Sequence, residues 1–140
     1  MRFRYLAVLI GCVICTKIFA DTPGTQNVSC NQNSSMADMT NCSKHDLDKA
    51  EAALMKAYQQ ALAKIDADFS VNTDKDTNVG YKKALKASQD AWIKFRDLDC
   101  DFSNYDRNGG SSQLMNIYDC KADMTNTRAK ELEGLIKDSL

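Results

Sequence analysis

The stretch Leu85–Cys100, LKASQDAWIKFRDLDC, constrains the fold more than any other part of the chain. It holds the only tryptophan, further large apolar side chains, and a cysteine at its end. At helical spacing Leu85, Ser88, Trp92, Phe95 and Asp99 share one stripe, widened by Ala84, Ala91, Leu98 and Phe102. That is the i, i+3, i+4, i+7 pattern of a helix facing a core. It predicts Trp92 as the anchor, whose truncation to alanine costs roughly 3–5 kcal/mol when the ring is buried. The opposite face carries Lys83, Lys86, Asp90, Lys94 and Asp97. Its i, i+4 pairs are worth about 0.2–0.5 kcal/mol each, which describes a solvated face.

Two more helices flank this one. The first is expected near Ser43, a capping residue with Asp46 three positions on. Leu47, Leu54, Tyr58, Leu62 (or Ala61), Ile65 and Phe69 then recur at helical spacing. The polar run Ser70–Gly80 interrupts the pattern before a second helix over about Val79–Phe102. Ser103–Ser112 is the next break, with Gly109-Gly110 as a helix stop and Ser111 or Ser112 as the following cap. The third helix carries Leu114, Ile117 (or Tyr118), Met124, Arg128, Leu132 and Leu135, and ends near Lys137. Strand-like alternation is absent. The expected fold is all-α, a three-helix antiparallel bundle closed by two disulfides. Its structural core includes Tyr58, Trp92, Arg96 and Arg128, the arginines bonded to carboxylates or helix-end carbonyls.

Residues 1–20 read as a secretory signal. Arg2 and Arg4 precede a short apolar run, and Ala20 supplies a small residue at the cleavage point. The run is too short to span a bilayer. Leu9-Ile10-Gly11-Cys12 also spells a lipoprotein box, so a lipid anchor at Cys12 is the minor alternative to a soluble exported protein. Residues 21–140 then form one domain, with 21–41 a loosely ordered polar segment in which Met36–Cys42 can form a short helical turn. Loss of Arg2, Arg4 and Lys17 takes 18 basic residues to 15 against 19 acidic, a net charge of about −4. Such a domain is a poor partner for nucleic acid or anionic lipid.

Four cysteines remain: Cys30, Cys42, Cys100 and Cys120. An even number in a small exported domain reads as a disulfide framework with three connectivities. The short separations favour local closure, Cys30–Cys42 and Cys100–Cys120, each worth about 3 kcal/mol in the chain-entropy model. No CxxC pair occurs and His45 is the sole histidine, which argues against zinc. Asp74-x-Asp76-x-Asn78 lacks the glycine and the closing glutamate of a calcium loop. No nucleophile elbow, helical histidine pair or phosphate loop is present. Neither an enzyme nor a cofactor is expected; the carboxylates Asp97, Asp99 and Asp101 read as a solvated helix end.

Leu85, Gln89, Ala91, Trp92, Ile93, Arg96, Asp97 and Cys100 resemble the L-x3-Q-x-AWI-x2-RD-x2-C core of the bacterial lysozyme inhibitor LprI family. Gly109-Gly110-Ser111, Cys120, Thr125, Arg128, Glu131 and Leu132 resemble its GGS…C…T-x2-R-x2-EL tail. Met39, Asn41 and Cys42 resemble its MN-x-C element, with Thr40 inserted. Leu54 and Tyr58 fit its D-x2-LN-x2-Y helix, with Glu51 in place of the acid and Met55 in place of the asparagine. The resemblance implies an exported, periplasmic or secreted helical domain whose protein partner is lysozyme. On this reading the loop between Cys100 and Cys120 is the binding protrusion: Asp106, Arg107, Asn108, Gly109, Gly110 and Ser111. Asp97, Asp99, Asp101 and Asp106 are its acidic surround. Two alternatives stand beside it. The glycines can be only a helix stop and start, and the domain can be an envelope protein-binding module of adaptor or immunity type with no lysozyme activity.

Overall fold

The computed structural model describes residues 30, 34–69, 75–107, 109–110 and 112–137. The first helix starts at a capping box. Ser35 N and Oγ donate to Asp38 Oδ2 at 3.2 and 2.7 Å, and Asp38 N donates back to Ser35 Oγ at 3.2 Å. Helix α1 therefore runs Met36–Phe69, beginning well before the Ser43 cap expected from the sequence. Ser43 is buried on the inner face instead, and residues 36–41 of the polar segment expected over 21–41 are helical. The expected signal 1–20, Cys12 and residues 21–29 lie outside the described residues. Helix α2 spans Lys75–Ser103, a 3₁₀ turn covers Tyr105–Arg107, and α3 spans Gln113–Lys137. Asp74 is outside the described residues, while Asp76 and Asn78 lie in the first turn of α2.

Helices α1 and α3 run parallel and closely packed. Along α1 the buried residues are Ser43, Leu47, Ala50, Leu54, Ala57, Ala61 and Ile65, mostly small. Along α3 they are Ala122, Thr125, Ala129 and Leu132. Leu47 and Ala50 pack with Ala122 and Tyr118; further along, Leu54 and Ala57 pack with Ala129 and Leu132. Alanines let the two backbones approach, so a seam with few large side chains is still dense. Helix α2 runs antiparallel to both and covers the seam, with Leu85, Trp92 and Tyr58 half-buried against Leu54, Ala57, Ala129 and Leu132. The all-α three-helix bundle expected from the sequence is the fold observed, and both disulfides close locally, with Cα–Cα separations of 6.0 Å for Cys30–Cys42 and 5.7 Å for Cys100–Cys120.

The face that α2 buries differs from the expected one. Leu85 and Trp92 point inward, but the other buried positions are Gln89, Arg96 and Cys100. Phe95, Leu98 and Phe102, expected in the core, are exposed at 56%, 60% and 79%. Cys100 is fully buried by its bond to α3, and Arg96 is drawn into the seam by partners on α1 and α3. These two tethers set the rotation of α2 about its axis, and the aromatic stripe is turned to solvent. Leu114 and Leu135, expected inside α3, are also exposed. Among the described residues no helix is long and apolar enough to cross a membrane.

Candidate functional site

The residues that the sequence marks most strongly converge on one buried guanidinium. Arg96 Nη1 donates to Glu51 Oε1 at 3.1 Å and to Thr125 Oγ1 at 2.9 Å. Its Nε and Nη2 donate to Asp97 Oδ1 at 3.0 and 2.9 Å. Trp92 stacks beneath it, with the guanidinium carbon 5.6 Å from the ring centroid, inside cation–π range. Thr125 is fully buried, and its hydroxyl donates to Lys121 O at 2.6 Å. One side chain of α2 thus ties α1 to α3. Arg128, further along α3, ties α3 to α2 alone. It donates to Gln89 Oε1 and Ser88 Oγ, both at 3.2 Å, and to Glu131 Oε2 at 2.8 Å. Both arginines are bonded to carboxylates. Glu51 and Thr125 were not singled out by sequence as Arg96 partners. Glu51 occupies the acidic position of the first-helix motif, and that was the available signal.

The tethered turn between α2 and α3 is built from side chains that close on backbone. Asn104, buried just past the end of α2, donates from Nδ2 to Cys100 O at 2.8 Å. Gln113 Nε2 donates to Asn104 O at 3.4 Å, and Gln113 Oε1 accepts from Gly109 N at 3.1 Å. Gln113 N donates to Gly110 O at 3.1 Å, opening α3. Gly109 has φ +80, a left-handed conformation that a side chain resists. Met124 Sδ packs 3.5 Å from Cys100 Sγ behind the disulfide. Of the expected binding residues, Asp106 and Arg107 lie in the 3₁₀ turn, and Gly109 and Gly110 are exposed beside it. Asn108 and Ser111 lie outside the described residues. Asn104 and Gln113, which hold the turn, were missed; an asparagine just after a helix end was the only hint.

Around the turn the acidic groups are not all free. Asp97 takes Arg96 and also faces Lys121 Nζ at 3.4 Å, and Asp101 lies 3.7 Å from the same ammonium. A hollow of about 360 Å³ opens beside the turn, lined by Asp101, Tyr105, Gln113, Leu114 and Ile117. A second open groove, about 380 Å³, runs between α1 and α2 over Met55, Tyr58, Ile93 and Arg96. At its rim the hydrogen bond to Asp90, and then the Asp90 charge, raise the pKa of Lys86. At the far end of the bundle, ion pairing with Lys82 and then a hydrogen bond from Asn78 hold the Asp66 carboxyl below its ordinary value. These are ion pairs between surface groups, and neither groove gathers a nucleophile with a base. Among the described residues no three His, Cys, Asp or Glu side chains are grouped to hold a metal.

The family model for lysozyme inhibitor LprI matches residues 29–132. This chain belongs to the LprI family. An uncharacterized protein of Rhizobium meliloti (strain 1021) is 32% identical over 111 residues, covering 79% of this chain and 80% of that protein. The crystal structure of a DUF1311 family protein from Pseudomonas putida KT2440 shares the fold, with TM-score 0.63 and 21% identity over 80% of this chain and 99% of that one. Placed on the structure, the LprI-like core motif is mostly internal: Gln89, Trp92, Arg96, Cys100, Thr125 and Arg128 bind one helix to another. The two disulfides fit an oxidising compartment.

Proposed function

We propose that this LprI-family chain is an exported, periplasmic or secreted domain that binds lysozyme through the turn between Cys100 and Cys120. One observation carries the reading. The turn is anchored at both ends, by the Cys100–Cys120 bond and by the Asn104 and Gln113 hydrogen bonds, yet it keeps Asp106, Gly109 and Gly110 exposed. A protrusion ordered before binding gives up less conformational entropy on docking than a loose loop. A lysozyme cleft presents two catalytic carboxylates. The Arg107 guanidinium, with polar groups of Asn108 and Ser111, supplies donors of the matching kind. The Gly109 N–H is already donated to Gln113, so this amide is part of the support and not of the contact. The net acidic charge steers the domain toward a basic enzyme surface and makes association salt-sensitive. The signal at residues 1–20 delivers the chain, and processing after Ala20 leaves it soluble, without a lipid on Cys12.

The test is inhibition of a panel of lysozymes by the purified oxidised protein, with a reduced sample as control. The expected result is salt-sensitive inhibition that is lost on reduction. No inhibition across the panel, with the helical fold intact, leaves the alternative: an envelope protein-binding module of adaptor or immunity type. The internal position of the family motif is compatible with that alternative, because a shared scaffold can carry different outer surfaces.

A further inference from the structure

The outward face of α2 is a graded apolar stripe. At 100° per residue, Gly80, Ala84, Ala87 and Ala91 share one line with Phe95, Leu98 and Phe102. Every one of these positions is exposed. The first half of the line is small, and a Cβ built at Gly80 meets nothing within 4 Å. The second half is bulky and is the largest run of exposed apolar side chains on the helix. Patches of this kind mark interaction sites in otherwise polar domains. One flank of the stripe carries, in order, Lys83, Asp90, Lys94 and Asp101.

We propose that this face pairs with a second copy of itself, α2 against α2 in an antiparallel two-fold arrangement. A two-fold axis at the level of Trp92 satisfies both patterns at once. It places Phe102 between Gly80 and Ala84 of the second copy, Leu98 over Ala84 and Ala87, and Phe95 between Ala87 and Ala91. Large side chains enter the hollows left by small ones along about 33 Å of helix. The same register sets Lys83 against Asp101 of the second copy and Lys94 against Asp90, because flanks of the same side meet in an antiparallel pair. In one chain Asp90 is already bonded to Lys86, and Asp101 sits near Lys121. Their side chains are nevertheless 62% and 59% exposed, so each carboxylate can accept a second cation. A parallel pairing would set bulk on bulk, and would turn this charged flank toward the opposite flank of the second copy, which carries Ser88 and Asp99, so the Lys83–Asp101 and Lys94–Asp90 pairs would not form. The polar segment 21–29 has a single large apolar residue, Val28, and is poorly suited to cover the stripe. An isologous contact of this type closes at two copies and does not propagate.

The experiment is sedimentation velocity of the purified oxidised protein over a dilution series up to about 1 mM, with far-UV circular dichroism of every variant. Wild type should show a reversible monomer–dimer equilibrium. Leu98→Asp and Phe102→Asp, both at exposed sites that leave the core untouched, should each weaken it by about 100-fold or more with unchanged helix content. Lys83→Glu should weaken it, and adding Asp101→Lys should restore it. An Ala91→Cys variant should cross-link to its own copy with a short bis-maleimide, since Ala91 of the two copies meet beside the axis. A wild type that stays monomeric throughout overturns the proposal, as does a dimer indifferent to Leu98→Asp and Phe102→Asp. Failure of the charge swap and of the cross-link overturns the antiparallel register.

Discussion

Arg96 joins all three helices through a single side chain. It is 6% exposed, yet all of its partners are polar or aromatic: Glu51, Asp97, Thr125 and Trp92. Burying a guanidinium is costly unless its donors are met, and here three helices supply the acceptors. Replacing Arg96 with alanine removes those bonds and the packing of its stem over Trp92. The expected loss is about 2–4 kcal/mol in urea unfolding, with Glu51 and Asp97 half in water and able to rehydrate. Arg96→Lys should recover only part of it, because an ammonium cannot serve Glu51, Thr125 and Asp97 from one plane. Sequence reading placed Arg96 and Arg128 among core positions and expected carboxylate partners, and the pairs Arg96–Asp97 and Arg128–Glu131 lie within one helix each. The long-range partners were out of reach, since nothing local in Glu51 or Thr125 says which helix will stand opposite.

Between elements, the bundle rests on two packing surfaces of different kinds. The α1–α3 seam is tight because Ala50, Ala57, Ala122 and Ala129 are small. Ala129→Leu should force the backbones apart and cost about 1–3 kcal/mol, seen as a lowered urea midpoint. The α1–α2 junction is held at one end by Asp66 with Lys82 and Asn78. The folded-state pKa of Asp66 is depressed, so its contribution is present above the ordinary carboxylate value of 3.8 and is lost as pH falls through the lower folded value. Asp66→Asn should therefore be less stable than wild type at neutral pH, and the two should converge in acid; thermal melts along a pH series check this. The helices, their order and the disulfide pairing were legible from periodicity, turn residues and cysteine spacing. The orientation of α2 was not. Periodicity tells which residues share a face, but α2 has apolar groups on two faces, and only the tethers at Arg96 and Cys100 choose between them. The start of α1 failed for a similar reason: Ser35/Asp38 and Ser43/Asp46 have the same capping pattern, and a buried Ser43 cannot be told from a cap by sequence.

At the scale of the whole molecule, a rigid scaffold presents three outward features: the tethered turn, the groove over Tyr58 and Ile93, and the stripe of α2. The core part of the family motif lies in the scaffold, while its Gly109-Gly110 element lies exposed in the turn. The sequence located the turn through Gly109-Gly110 between two cysteines. It did not reveal how the turn is held, because Asn104 and Gln113 act through backbone groups that only the folded chain brings near. The central claim is that this held turn is the part that meets lysozyme. The most direct test is titration of a lysozyme inhibited by the wild-type protein with the Arg107→Ala/Ser111→Ala double variant, followed by calorimetry and by residual lytic activity. The expected result is a folded, disulfide-bonded variant whose affinity falls by about tenfold or more. Undiminished inhibition by that variant would contradict the claim and remove the turn from the mechanism.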